Sequence, residues 1–343
     1  MTSLVIVESP AKCKKIEGFL GPGWRVIATM GHIRALEEDI QAVGIDKDFE
    51  PSYHFMKEKA KAITQLKEAA KKADTIYLAS DDDREGEAIS YSVAMLLGLN
   101  PQTTKRAVFH EITAKAVKAA VANPRVIDMN RVNAQQTRAM LDLMVGFTVS
   151  PILWNYVGPG LSAGRCQTPA LRLLCDREQE IQKFSSSTVW KIKGTWEGSS
   201  PFHFEANLKD ELEDQESSLN YLENIHSDLN GTIINAVTKV WTESPPKPLI
   251  TSTLQQEASA LFASNPKKTM MIAQKLYEAG HITYMRTDHP ILSEEAIKEA
   301  SEFVVKFCGD AYIPQTKTDA PKKKKKEEAP GGAQEAHEAI RPT

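Results

Sequence analysis

Residues 75–98, TIYLASDDDREGEAISYSVAMLLG, constrain the fold more than any other stretch of the chain. A short apolar run rich in β-formers leads into an acidic loop. After the loop, Ala88, Ile89, Val93, Leu96 and Leu97 fall at helical spacing, and Gly98 is a natural helix stop. This is a strand–loop–helix unit. Three more short apolar runs, LVIV at 4–7, RVIA at 25–28 and RAVF at 106–109, read as buried parallel strands, so the N-terminal part is predicted to be an α/β domain. The acidic loop then lies at the carboxyl end of its strand, the edge at which open α/β sheets bind ligands. In extended backbone, residues two apart face the same way, so Asp81 and Asp83 converge while Asp82 points elsewhere. Glu85 follows two residues on, and Glu8, at the end of the LVIV run, reaches the same edge from a neighbouring strand. Converging carboxylates repel unless a cation joins them, and hard oxygen donors suit Mg²⁺. Acids also suit a solvated loop at a helix N-terminus. These residues by themselves leave both readings open.

The rest of the chain divides by composition. At 343 residues it exceeds a usual single core, so two or more domains are expected. The net charge of -3 gives no overall attraction to a polyanion, but a nucleic-acid binder needs only one basic groove. Cys13, Cys166, Cys175 and Cys308 form no CxxC pair, which argues against a zinc ribbon or a disulfide framework. No apolar stretch reaches the roughly 18 residues of a membrane span, and MTSLVIVESPAK runs straight into a strand pattern, so a cytoplasmic protein is expected. From about 112 the pattern turns helical and basic, with Arg131, Arg138, Arg165, Arg172 and Arg177, broken by the glycine-rich VGPGLSAGRCQTP at 157–169. Residues 184–248 are β-like and acidic and end in TESPPKP. KKTMMIAQKLYEAGHITYM at 267–285 then predicts a helix, a stop at Gly280 and a strand carrying Tyr284, the outline of a helix followed by a hairpin. The five lysines at 322–326, flanked by proline and glycine, read as a solvated, mobile loop.

Five motifs stand in a fixed order: VESPAK at 7–12, DxDxEGE at 81–87, LSAGRCQTP at 161–169, ITYMRTD at 282–288 and HEAIRPT at 337–343. Through them nearly the whole chain resembles the type IA DNA topoisomerases. The resemblance implies an α/β multidomain protein: a Toprim domain at 1–127, a helical single-strand DNA-groove domain at 128–183, a β-rich arch segment at 184–248 and a truncated, winged-helix-like catalytic-tyrosine domain at 249–343. Met285 stands where topoisomerase III members more often carry proline, which favours the bacterial topoisomerase I branch. Cys166 and Ala139 depart from the pattern, and Ala139 replaces a second basic residue of some members. Family chains continue beyond HEAIRPT, so an N-terminal fragment is expected.

The resemblance also implies roles. Tyr284 matches the nucleophile that cleaves one DNA strand through a 5'-phosphotyrosyl link, with Arg286 and Lys12 on the scissile phosphate and Glu8 shuttling a proton. Asp81, Asp83, Glu85 and Glu8 would hold Mg²⁺. Arg138, Asp142, Arg165 and Gln167 match positions along the DNA strand, His337 supports a nucleotide pocket, and His32 lies in a further motif near the site. The expected activity is ATP-independent relaxation, in keeping with the lack of a GxxxxGK[ST] loop. Expected partners are single-stranded or negatively supercoiled DNA, with no membrane, no nucleotide cofactor and a monomeric, nucleoid-associated state. A primase-like or nuclease Toprim enzyme would share the acidic cluster, and a non-catalytic single-stranded DNA-binding fragment is a further alternative.

Overall fold

Strand β1 (Ser3–Val7) sorts its side chains into two cores by simple alternation. Val5 and Val7 enter one, with Ile16, Val26, Ile112 and Val117; Leu4 and Ile6 enter the other, with Ile33, Leu66, Leu78 and Val93. A strand buried on both faces is what a parallel sheet requires, and it explains the unbroken apolar run. The computed structural model describes residues 2–198, 203–241, 243, 245–313 and 338–343. The predicted lysine-rich loop at 322–326 and His337 lie outside the described residues.

In chain order, β1 is followed by α1 (Cys13–Leu20), β2 (Trp24–Ala28), β3 (Arg34–Leu36), β4 (Tyr53–Phe55), α2 (Ala60–Ala70), β5 (Thr75–Leu78), α3 (Arg84–Leu97), β6 (Lys105–Arg106), α4 (Ala114–Ala122) and α5 (Met129–Tyr156). The main sheet runs β2-β1-β5-β6, all parallel, with Val5 opposite both Val26 and Tyr77. The four strands fall where the apolar runs predicted. The last is shorter than RAVF: beyond Arg106 the free edge is taken by Arg125, whose backbone exchanges two hydrogen bonds with Arg106 at 2.8 and 2.9 Å.

The chain forms two compact units, Met1–Arg165 with Pro246–Thr343, and Cys166–Pro245. The second holds α6 (Gln167–Lys183), the antiparallel pair β7 (Lys193–Glu197) and β8 (His203–Asn207), and α7 (Gln215–Ile225), with Trp196 stacked on Phe204 at 5.8 Å. Within the first unit, the C-terminal segment adds α8 (Thr251–Phe262), α9 (Pro266–Glu278) and α10 (Glu294–Cys308). Its Tyr277, Tyr284, Met285 and Ile340 join the same core as Val5 and Val7.

The expected strand at Ile282–Tyr284 does not form. Ile282 makes a single bridge to Pro342, which has no N–H to extend a ladder. Thr283 N donates to Arg341 O at 2.9 Å, while Tyr284 N donates to His110 O at 2.9 Å. Successive amides therefore find partners in two different segments, so the β-propensity of Ile-Thr-Tyr is satisfied without a sheet. Among the described residues, no helix is long and apolar enough to cross a membrane.

Candidate active site

The acidic loop begins where β5 ends, and the alternation read from its sequence holds. Asp81 accepts from Lys12 Nζ. Asp83 accepts from the Tyr284 hydroxyl and lies 3.4 Å from Arg286 Nη1. Asp82 turns to the opposite side, 2.6 Å from Arg131 Nη1 and 3.1 Å from Arg125 Nη2. Asp83 also caps α3, accepting from Gly86 N at 2.8 Å. Position 86 has no room for a side chain: a Cβ there would stand 2.1 Å from the Asp81 carbonyl oxygen. The glycine of DxDxEGE is thus what lets α3 start directly against the loop.

Tyr284 arrives from the far end of the chain. Helix α9 ends at Glu278, and Gly280 turns the backbone at φ 65°, where a Cβ would lie 2.6 Å from Ile112 O. Four residues on, Tyr284 is only 3 % exposed. Burial, then the Asp83 and Asp81 carboxylates, hold its phenol far above the ordinary tyrosine range, with Arg286 pulling the other way. Arg286 itself, although burial opposes its charge, is raised by Tyr284 and by the Asp83, Glu8 and Asp81 carboxylates. Lys12, 1 % exposed, lies with its ammonium 4.8 Å from the ring centroid of Tyr277, and that ring meets Tyr284 edge-on at 5.1 Å.

Glu8 stands at the end of β1. Its carboxyl is pushed from 4.5 to about 7, by burial first and then by Asp81 and Asp83, with Lys12 and His32 opposing. Glu85 behaves differently: a hydrogen bond from His32 Nε2 at 3.0 Å, with help from Gln135 at 3.1 Å and Arg138 at 3.6 Å, keeps it below its ordinary value despite burial. Gln135 and Arg138 are on α5, so that helix contacts the first turn of α3 directly. Arg165 pairs with Asp142 through two bonds, 2.8 and 3.1 Å, which lowers Asp142. Gln167 opens α6 in the second unit.

A network that the sequence did not announce lies behind Asp82. Arg106 is wholly buried, bonded to Glu87 at 3.2 Å and to the carbonyl oxygens of Ser80 and Asp81 at 2.8 Å each. Arg125 grips Glu87 with two bonds, 2.7 and 2.8 Å, and the Asp128 amide adds a third at 2.7 Å. Burial favours the neutral acid, but Arg125, Arg106 and the Asp128 amide keep Glu87 below its usual range, and Arg131 and His110, then Arg106 and Arg125, do the same for Asp82. Tyr277 was missed as well. Both omissions have the same cause: Arg106 sits in an apolar run and Tyr277 on an apolar helix face, so each reads as packing.

Glu8, Asp81, Asp83, Glu85 and Arg286 line one cavity of about 410 Å³, closed on another side by Met270, Met271 and Gln274 of α9. Among the described residues no three acidic, histidine or cysteine side chains already close on one point, because Asp81 and Asp83 are turned to Lys12, Tyr284 and Arg286. The donor set itself, four carboxylates on one cavity wall, fits a hard divalent cation.

A DNA topoisomerase family model matches residues 126–343, and a Toprim-domain model matches residues 3–112. The chain belongs to the type IA DNA topoisomerases. Toprim domains are in general divalent-metal-binding domains. Among solved structures, the full-length topoisomerase I of Thermotoga maritima is similar to this topoisomerase chain: 37 % identity, a TM-score of 0.82, and 99 % of this chain covered. The match covers 55 % of that protein, so the present chain spans about half the length of its relative.

Proposed function

We propose that the chain carries the cleavage half-site of an ATP-independent enzyme that relaxes negatively supercoiled DNA by cutting one strand through Tyr284. The observation that carries this reading is the meeting of Tyr284 with Asp83, beside Arg286 and Lys12, in a cavity walled by carboxylates. In the reaction, the Tyr284 oxygen attacks a backbone phosphorus, forming the P–O(Tyr) bond as the P–O3' bond breaks. The phenol proton leaves toward Asp83, which already accepts its hydrogen bond. Arg286 and Lys12 stabilise the charge that grows on the phosphoryl oxygens. Glu8, with a pKa of about 7, is matched to giving a proton to the departing 3'-oxygen and taking it back on religation. A bound Mg²⁺, held by Asp81, Asp83, Glu85 and Glu8, would supply positive charge that positions the DNA backbone.

Burial of the phenol beside two carboxylates makes it a poor nucleophile as it stands. A phosphate entering between Lys12 and Arg286 would draw both cations off Asp81 and Asp83, leaving Asp83 a stronger base for the phenol proton. Arg138, Asp142, Arg165, Gln167 and His32 would line the strand, with His337 supporting a nucleotide pocket. Mixing the chain with a labelled single-stranded oligonucleotide, quenching in denaturant and resolving on a gel tests the reading. A covalent adduct that Tyr284→Phe abolishes is expected. An adduct that survives Tyr284→Phe removes the nucleophile, and strand cleavage with no protein attached would indicate a nuclease instead.

A further inference from the structure

We infer that Tyr277 is a positioning residue for the cleavage site, acting through its aromatic ring. The inference rests on the reading of Tyr284 as nucleophile and concerns what holds that residue and Lys12 in place. Tyr277 lies on α9, seven positions before Tyr284 and outside every motif read from the sequence, and it is fully buried. Its ring makes two contacts with the proposed machinery. The Lys12 ammonium stands 4.8 Å from the ring centroid, inside the roughly 6 Å range of a cation–π contact. The Tyr284 ring meets it edge-on, with centroids 5.1 Å apart and planes at 69°, the geometry in which the positive edge of one ring faces the negative face of another.

One ring therefore fixes both groups that must act on the same phosphate. Lys12 is a buried ammonium whose ion-pair partner is Asp81, itself an acid on the cavity wall. When a phosphate draws on Lys12, or Asp81 turns to other work, the π face keeps an electrostatic partner beside the ammonium and holds it near the cavity. The edge contact limits where the Tyr284 phenol can swing. The Tyr277 hydroxyl contributes less, being 3.5 Å from Asp81 Oδ1, at the outer limit of a hydrogen bond.

The test is single-turnover adduct formation at saturating labelled oligonucleotide, with oligonucleotide affinity measured in parallel by anisotropy. Tyr277→Leu is expected to slow adduct formation by about tenfold or more while affinity changes by less than about twofold, since only the geometry of attack is altered. Tyr277→Phe should restore most of the rate. Because a leucine in this core can disturb folding, a second series keeps ring size: phenylalanine carrying one, two and three fluorines at position 277. Fluorine drains the negative face of the ring, so the rate should fall stepwise along the series. A Phe variant as slow as Leu would shift the role to the hydroxyl and overturn the proposal, as would a rate indifferent to fluorination. Failure of the underlying reading shows separately, as a Tyr284→Phe chain that still traps DNA, and the positioning role then falls with it.

Discussion

Asp82 and its two neighbours occupy consecutive positions in one loop and are buried alike, at 5 % exposure against 6 % for Asp81 and 5 % for Asp83. Their fates differ because of what faces them. Behind the loop, Asp82 and Glu87 meet Arg106, Arg125 and Arg131 in a network of short bonds. In front, Asp81, Asp83, Glu85 and Glu8 share a cavity, and the Glu8 carboxyl is driven up to about 7 by burial and by its own kind. The difference teaches that burial alone does not make an acid functional. The rear acids are closed in among arginines and can only hold the loop; those in front, although Lys12, Arg286 and His32 contact three of them, also face an open cavity from which a ligand can compete for those contacts.

Mutations should separate the two faces, beginning with the largest effect. Glu87→Ala strands the buried guanidinium of Arg106 and half-frees Arg125, and should lower unfolding stability by about 3–5 kcal/mol in urea titrations. A loss no larger than that of a front-face acid would erase the distinction. Gly86→Ala forces a Cβ against the Asp81 carbonyl 2.1 Å away and should destabilise by about 1–3 kcal/mol. Because the strain falls on the loop itself, adduct formation should drop further than stability does. Equal losses would mean the loop adapts without moving its acids.

Stability should depend on pH with opposite signs at Glu8 in front and at Asp82 and Glu87 behind, Glu85 siding with the rear acids because His32 holds it low. Glu8 is raised from 4.5 to about 7, so between those values the folded chain holds a proton that the unfolded chain has released. Its contribution to stability therefore falls as pH rises from 4.5 to about 7 and is level above. Glu8→Gln should gain on the parent across that window by roughly 2 kcal/mol, a figure reduced for the partial exposure of the group. Melting curves of both chains from pH 4.5 to 8 measure it, and a constant difference would sink the idea. Asp82 and Glu87, held low, lose their contribution only as pH falls below the ordinary carboxylate range. The smallest effect belongs to Asp142→Asn: the exposed pair with Arg165 should be worth under about 1 kcal/mol in stability. Urea titrations of the two chains measure it, and a loss above about 2 kcal/mol would show the pair to be more than a surface contact.

Much of this arrangement was legible beforehand. The run at 75–98 gave a strand, a loop with acids facing alternately and a helix stopped at Gly98, whose φ of 66° ends α3 as expected. Apolar strands buried on both faces leave a plain trace in sequence. What left none was pairing at a distance. Arg106 looks like any strand residue until Glu87 and two loop carbonyls are seen around it. The segment at Tyr284 looks like a strand because Ile, Thr and Tyr favour one, yet its partners, Arg341 and His110, lie in separate parts of the chain. Local propensity reports what a backbone prefers, and these residues are held by what the rest of the fold offers them.

That divided attachment has one more consequence. Thr283 and Tyr284 are neighbours, but the Thr283 amide is bonded to Arg341 in its own C-terminal segment, whereas the Tyr284 amide is bonded to His110, just beyond the parallel sheet. In deuterated solvent the two protons run on separate clocks. Unravelling of the C-terminal segment releases the first; any parting of that segment from the sheet releases the second. The protection of a single backbone proton thus reports the free energy of parting the tyrosine's backbone from the sheet side, read in the resting protein without DNA or catalysis.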